Sequence, residues 1–481
     1  MAGRPIRRVP CTVGRRGNVT DLPPMSAAEL TQAYGAGTLS PVEVAEAALA
    51  VVAGPAASLN AVASSDADMV HESARASACR WKAGRPLGPL DGVPISFKDS
   101  FHIKGLPRWH GTACHEGVVS GADALPVIRA REAGMIVTCK TTMPDFAMIM
   151  SGISSEHGVI RNAWDPRTSP GGSSSGAGPS VVLGAATIAL GTDMVGSVRI
   201  PAALSGLASI KPTQGRIAYD PPGAYRSAGP MARTVGDVTL ALGALGRFAH
   251  EDFYSLDGRF VPAPPPTDLK GQRIAVWKRA GWGDATDAET LTAVDWAAEQ
   301  LSARGAELIE IKDLDVGADD YMAIHWNMLH VGAPDYFGLP AAARGRIAPP
   351  IGALYDGLLS QSAIHAASVT RRVNMAAIRV ARQLASFDHV LSPAVPVRAF
   401  PAELCCPDPR WGAASHQAFA CWFNQIGWPA ATVPVHQPED GDVPVSVQIA
   451  GRRFDDARVL GIATLLETAR GFAIRWPQVR T

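Results

Sequence analysis

Gly171-Gly-Ser-Ser-Ser-Gly-Ala-Gly-Pro-Ser180 is a loop of small residues, Val181–Leu190 follows as a mostly apolar run, and Gly191-Thr-Asp-Met-Val-Gly-Ser-Val-Arg-Ile-Pro201 forms a second small-residue loop. Ser173 and Ser197 sit one in each loop, 24 residues apart. That spacing has a physical logic. Gly176 to about Thr187 can form a helix, with Pro179 tolerable because it falls in the first turn. Those ~12 residues advance roughly 18 Å. Ile188–Asp193 can return as a strand over roughly 20 Å. The chain goes out and comes back, so both serines can meet at one end of a sheet.

A third residue reaches the same place from upstream. In Val93-Pro-Ile-Ser-Phe-Lys98, strand alternation puts residues 93, 95 and 97 on one face and Ser96 and Lys98 on the other. Two loop serines and a strand lysine point to nucleophilic acyl transfer without histidine, in which one hydroxyl attacks and an amine takes the proton. The alternatives are plainer. A glycine-rich loop before a helix can bind phosphate, but this one lacks the Gly-Lys-Ser/Thr tail of a phosphate loop and the glycine spacing of a dinucleotide site. A serine in such a loop, taken alone, reads as flexible linker; Lys98 and the flanking motifs argue otherwise.

Taken together, Gly-Gly-Ser-Ser, Gly-Thr-Asp and Gly-Ser-Val-Arg-Ile-Pro resemble the full signature of the amidase-signature hydrolases. Lys140-Thr-Thr-Met-Pro-Asp-Phe-Ala147, Asn162-Ala-Trp-Asp165, Lys211-Pro-Thr-Gln-Gly-Arg216 and Gly229-Pro-Met-Ala-Arg-Thr234 are similar to its flanks. So are Phe423-Asn-Gln-Ile-Gly-Trp-Pro429 and Val445-Ser-Val-Gln-Ile-Ala-Gly-Arg452, so that the resemblance spans residues 25–470. It implies a Ser–cis-Ser–Lys triad: Ser197 as the nucleophile that forms an acyl-enzyme, Ser173 as the bridging serine after a cis peptide bond, and Lys98 as the base. It also implies that the backbone N–H groups of Met194, Val195 and Gly196 surround the oxyanion. Lysine serves as a base only when neutral, and burial beside Val93, Ile95 and Phe97 lowers its pKa.

The chain departs from that pattern at three places. Val195 stands where glycine is usual, which strains the turn if positive φ is required. Ser175 also replaces a glycine. Met148, Ile149 and Met150 put bulk where many relatives carry small residues, which predicts a pocket wall for hydrophobic or aryl acyl groups, with core packing as the plainer reading. Asp193 and Arg199 flank the nucleophile and read as a structural ion pair rather than as catalytic groups. His110 reads as an ordinary loop histidine.

Composition bounds the rest. Hydrophobic residues make up 47% and charged residues 18% of 481, which gives a large buried core. Lysine plus arginine equals aspartate plus glutamate at 44 each, so no global field draws in nucleic acid or an anionic membrane. Seven cysteines, an odd number without a regular framework, predict reduced thiols and a cytoplasmic setting. Val181–Leu190, read as the longest apolar stretch, is far too short to span a bilayer. No cofactor is expected, and no metal, because Cys405-Cys406 lacks a second pair at zinc spacing.

Residues 1–24 carry five arginines against Asp21 and no apolar stretch, and read as a basic N-terminal extension without an ordinary secretory signal. Folded sequence starts near Ser26, whose partner Glu29 makes a capping box. The remainder, 25–481, is expected to be one large α/β domain, a twisted mixed β-sheet core covered by α-helices, with a variable helical region at about 315–385 broken by Pro349-Pro350. Arg273–Lys278, Asp287–Arg304 and Glu307–Ile311 read as strand, helix and strand. The expected activity is hydrolysis of linear carboxamides, of hydrophobic or aryl type, with carbamates and esters as side substrates. The substrate is a small-molecule amide, and a homodimer is left open. The alternative is the glutaminase (A-type) subunit of a tRNA-dependent amidotransferase, which Val195 and the bulky 148–150 segment argue against.

Overall fold

A computed structural model describes residues 22–439 and 442–477. Residues 1–21 of the basic extension, 440–441 and 478–481 lie outside the described residues. The strands are β1 Val62–Ser64, β2 Pro94–Lys98, β3 Ile136–Thr141, β4 Ile153–Ser154, β5 Gly158–Val159, β6 Ile188–Asp193 and β7 Ala208–Lys211. They continue as β8 Ser227–Ala232, β9 Arg273–Trp277, β10 Glu307–Ile311, β11 His389–Pro393, β12 Ala430–His436 and β13 Val445–Gly451. Strands β4 and β5 form a small hairpin; the other eleven form one mixed sheet in the order β1-β3-β2-β6-β8-β7-β12-β13-β11-β9-β10. Strand β2 runs parallel to both β3 and β6, whereas β6–β8 and β12–β13 are antiparallel.

Between its edge strands β1 and β10 the sheet is buried on both faces, and the two-residue period sorts its side chains. Ile274 and Val276 of β9 join one hydrophobic cluster while Ala275 and Trp277 join the other. The first cluster is closed by helices Ala27–Ala36, Val235–Leu245, Ala288–Ser302 and Asp456–Ala469. The second is closed by helices Ala318–Phe337 and Ala363–Leu384. Local signals set the helix ends: Ser26 and Glu29 form the reciprocal capping box, with Glu29 N–H donating to Ser26 Oγ at 3.2 Å and Ser26 N–H to Glu29 Oε2 at 2.8 Å.

Three expectations are corrected. The helix after the first serine loop is Ala177–Leu183, not Gly176–Thr187, because Gly184 caps it in the left-handed region (φ 89°) and ends it short of β6, which still begins at Ile188. Pro349-Pro350 opens helix Pro349–Asp356 rather than breaking one, since first-turn positions have no intrahelical acceptor for an N–H and proline forfeits no bond there. Pro41–Ser58 is an apolar run of 18 residues, longer than Val181–Leu190. It is two helices, Pro41–Ala53 and Pro55–Ser58, parted at Gly54.

Candidate active site

Parallel pairing of β2 with β6 sets the C-terminal ends of both strands side by side, with Phe97 opposite Leu190. Lys98 ends β2 with its side chain fully enclosed. Its Nζ donates to Ser173 Oγ at 2.8 Å and to Thr192 Oγ1 at 3.0 Å. Burial, reinforced by the nearby Arg226 charge and only partly opposed by Asp193, lowers the amine to about 7. Ser173 follows a cis peptide bond, Gly172–Ser173. Glycine is required at 172, because a Cβ there would lie 2.7 Å from Ser151 N and O.

Ser197 closes the loop after β6 but does not bond to Ser173. Its hydroxyl donates instead to Met150 Sδ at 3.2 Å, and Met150 is itself held by His416, whose Nε2 pairs with the Met150 carbonyl at 2.7 Å. Of the two hydrogen bonds expected among the three residues, Lys98–Ser173 is made and Ser173–Ser197 is not. The loop between β6 and Ser197 carries its positive φ (128°) at Gly196, where a Cβ would strike Ile200 Cδ1 at 2.7 Å and Ala420 Cβ at 2.8 Å. Val195 stays out of the left-handed region, so the valine is unstrained.

Asp193 organises that loop, and this corrects the expected oxyanion donors. Gly196 N–H is committed to Asp193 Oδ1 at 2.8 Å and Val198 N–H to Oδ2 at 3.2 Å. The N–H groups of Met194 and Val195 have no acceptor among the described residues. Asp193 pairs with the equally buried Arg199 at 2.9 Å, in line with the structural reading. Burial is the largest single effect and pushes the Asp193 carboxyl up, but the charge and hydrogen bonds of Arg199, with the Lys211 charge and the Asn424 hydrogen bond, together outweigh it and hold the group at about 2. Arg199 also donates to Asn424 Oδ1 at 2.6 Å and Gln448 Oε1 at 2.7 Å, and Asn424 Nδ2 returns to the Asp193 carbonyl at 3.1 Å. The C-terminal motifs thus close onto the loop that carries Ser197.

Two further buried lysines lie outside this site. Lys140 pairs with Asp99 at 2.7 Å, and Lys211 donates to the Pro212 carbonyl at 2.9 Å; neither touches a serine.

A cavity of about 90 Å³ opens beside the serines, smaller than the ~150 Å³ that holds a benzene ring. Met148 lines it and Met150 abuts Ser197, whereas Ile149 is enclosed in the core away from it. Helix 318–337 presents Met328, Val331, Gly332 and Asp335 to the cavity, the i, i+3, i+4, i+7 stripe of one helical face. His110 lines it too, a correction to its reading as an ordinary loop histidine; burial, with Arg108 adding to it, holds it well below the usual histidine pKa. Thr192 and Arg226 are the site residues that sequence reasoning missed. Thr192 was legible two residues beyond Leu190 on β6; Arg226 had no local signal, since only the β6–β8 pairing brings it here. A roomier depression of about 410 Å³ near Arg129 and Arg247 holds none of these groups.

The profile of the Amidase family matches residues 43–460, and the chain belongs to that family. The A subunit of glutamyl-tRNA(Gln) amidotransferase from Symbiobacterium thermophilum is 32% identical over 472 residues, covering 91% of this chain and 95% of its own. The same subunit from Rhodopirellula baltica is 30% identical over 498 residues, with coverage of 95% and 98%. A bacterial aryl acylamidase superposes with a TM-score of 0.83 at 23% identity, covering 93% of this chain and 96% of its own. This protein is an enzyme of the amidase-signature family that hydrolyses amides.

Proposed function

We propose that the protein hydrolyses small carboxamides through an acyl-enzyme on Ser197. The observation that carries this reading is the 2.8 Å bond between Lys98 Nζ and Ser173 Oγ, made by a fully buried amine held at about 7 and thus neutral over much of the working range. Ser197 turns its hydroxyl from Met150 to Ser173 when substrate enters. Neutral Lys98 then takes the Ser173 proton as Ser173 takes that of Ser197, and the freed oxygen attacks the carbonyl carbon. The N–H groups of Met194 and Val195 stabilise the oxyanion. Collapse returns the proton through Ser173 to the departing amine, and water releases the acid by the same relay. Met148, Met150 and the helical wall suit a compact apolar acyl group.

A second reading is supported by the amidotransferase A subunits at 30–32% identity and by two charged cavity residues, Arg226 and Asp335, which supply polar contacts that glutamine requires. In that reading the chain is a glutaminase subunit that works with partner proteins. A panel of aliphatic amides, anilides, aryl carbamates and glutamine separates the two. Apolar amides should exceed glutamine in kcat/KM by at least about tenfold, roughly 1.4 kcal/mol. Equal or better rates on glutamine would favour the subunit reading.

A further inference from the structure

The pairing of Asp193 with Ser227 across β6 and β8 places Arg226, the residue just before β8, beside Met194 at the head of the nucleophile loop. Arg226 lines the same cavity as Ser173 and Ser197. Its Nη2 donates to Tyr219 Oη at 2.7 Å, and its guanidinium carbon lies 4.8 Å from the centre of that ring. Tyr219 is in turn locked edge-on against Phe101 at 5.5 Å. The fork is therefore anchored on one side and aimed by a rigid aromatic stack.

What the fork is aimed at is missing from the protein. Among the described residues no carboxylate lies within ion-pair distance of Arg226, and the bond to Tyr219 uses one of the five N–H donors of a guanidinium. Arg199, by contrast, spends its donors on Asp193, Asn424, Gln448 and a carbonyl. A half-buried guanidinium left with free donors matches a planar, two-oxygen acceptor. The cavity's other charges do not supply one: Asp193 is satisfied by Arg199, and Asp335 stands exposed on the helical wall.

We infer that Arg226 is a specificity-determining residue that binds a carboxylate on the substrate, so that the preferred amides carry one near the scissile bond. The inference rests on the proposed reading of the Ser197 cavity as the acyl site. It goes beyond that reading by naming a charged group that an apolar wall alone does not select.

The test uses two pairs of substrates that differ in one charge. Succinanilic acid against butyranilide places the carboxylate on the acyl side; benzoylglycine against N-ethylbenzamide places it on the leaving side. Assays run at about pH 9, where Lys98 is neutral whatever happens to the Arg226 charge. In at least one pair, the wild-type protein should prefer the carboxylate by at least about tenfold in kcat/KM, mainly through KM. Arg226→Gln should bring that ratio to near one, and Arg226→Lys should restore part of it.

A wild-type ratio near one in both pairs, or a ratio that Arg226→Gln leaves unchanged, overturns the inference. So does an equal fall for charged and uncharged members, which would assign Arg226 to the reaction centre instead. Calorimetric binding of the same pairs to Ser197→Ala protein, with and without Arg226→Gln, reads the charge preference without turnover. Failure of the acyl-enzyme reading thus remains distinguishable from failure of this one.

Discussion

Replacing Lys98 with methionine should destroy activity and stabilise the protein, and the two effects test one cause. A fully buried amine brought from 10.5 to about 7 carries a folding cost on the order of 5 kcal/mol when protonated. In the folded protein the amine gains its proton below about pH 7, and in the unfolded chain below about 10.5. Between those values the unfolded chain holds the extra proton, so this group makes stability rise with pH by about 1.4 kcal/mol per unit. Below pH 7 both states are protonated and the cost is complete. Methionine has similar length and no charge, and Lys98→Met loses two hydrogen bonds worth ~1 kcal/mol each. The variant should therefore exceed the wild type by a few kcal/mol at pH 6 in denaturant titration. That advantage should shrink as pH approaches 10. Amide kcat/KM should fall by ~10²–10⁴-fold, the span of general-base catalysis. In the wild type kcat/KM should climb about tenfold per pH unit up to a plateau above about 7. A variant no more stable than the wild type at pH 6 would refute the buried-amine account. So would a flat wild-type profile from about 6 to 10 with chemistry rate-limiting.

Two further outcomes follow from the nucleophile's surroundings. Met150→Gly removes the thioether on which Ser197 rests; at about 25 cal/mol per Å², roughly 60 Å² of added apolar contact gives ~1.5 kcal/mol, so the benzoyl-to-acetyl ratio in kcat/KM should rise about tenfold, and an unchanged ratio would remove Met150 from the acyl wall. Arg199→Met strands the Asp193 carboxylate in the interior, and urea unfolding should show a loss of about 3–5 kcal/mol; a loss under about 1 kcal/mol would mean that the Asp193 network does not hold the loop.

Much of the fold was legible because its signals are local. Strand β6 and its flanking serines followed from the length of one apolar run between two small-residue loops, and the Ser26–Glu29 box marked the first helix. Lys98 was legible because alternation in β2 separates it from Phe97. What stayed hidden depends on long-range pairing. Arg226 reaches the site only through the β6–β8 register, and no short-range pattern near residue 226 encodes it. The commitment of Gly196 N–H to Asp193 was equally unreadable, because a glycine before a nucleophile looks the same whether its amide points at a carboxylate or at an oxyanion. Residues 148–150 show a third limit: three bulky neighbours read alike, yet Met148 lines the cavity, Ile149 packs in the core and Met150 accepts from Ser197.

The measurement that tests the central claim most directly is peptide mapping of the protein after reaction with a fluorophosphonate. The account predicts one stoichiometric adduct on Ser197, loss of amide hydrolysis in step with labelling, and neither label nor turnover in Ser197→Ala protein that remains folded. An adduct on another residue, or an alanine variant that keeps more than a few percent of the wild-type rate, would contradict it.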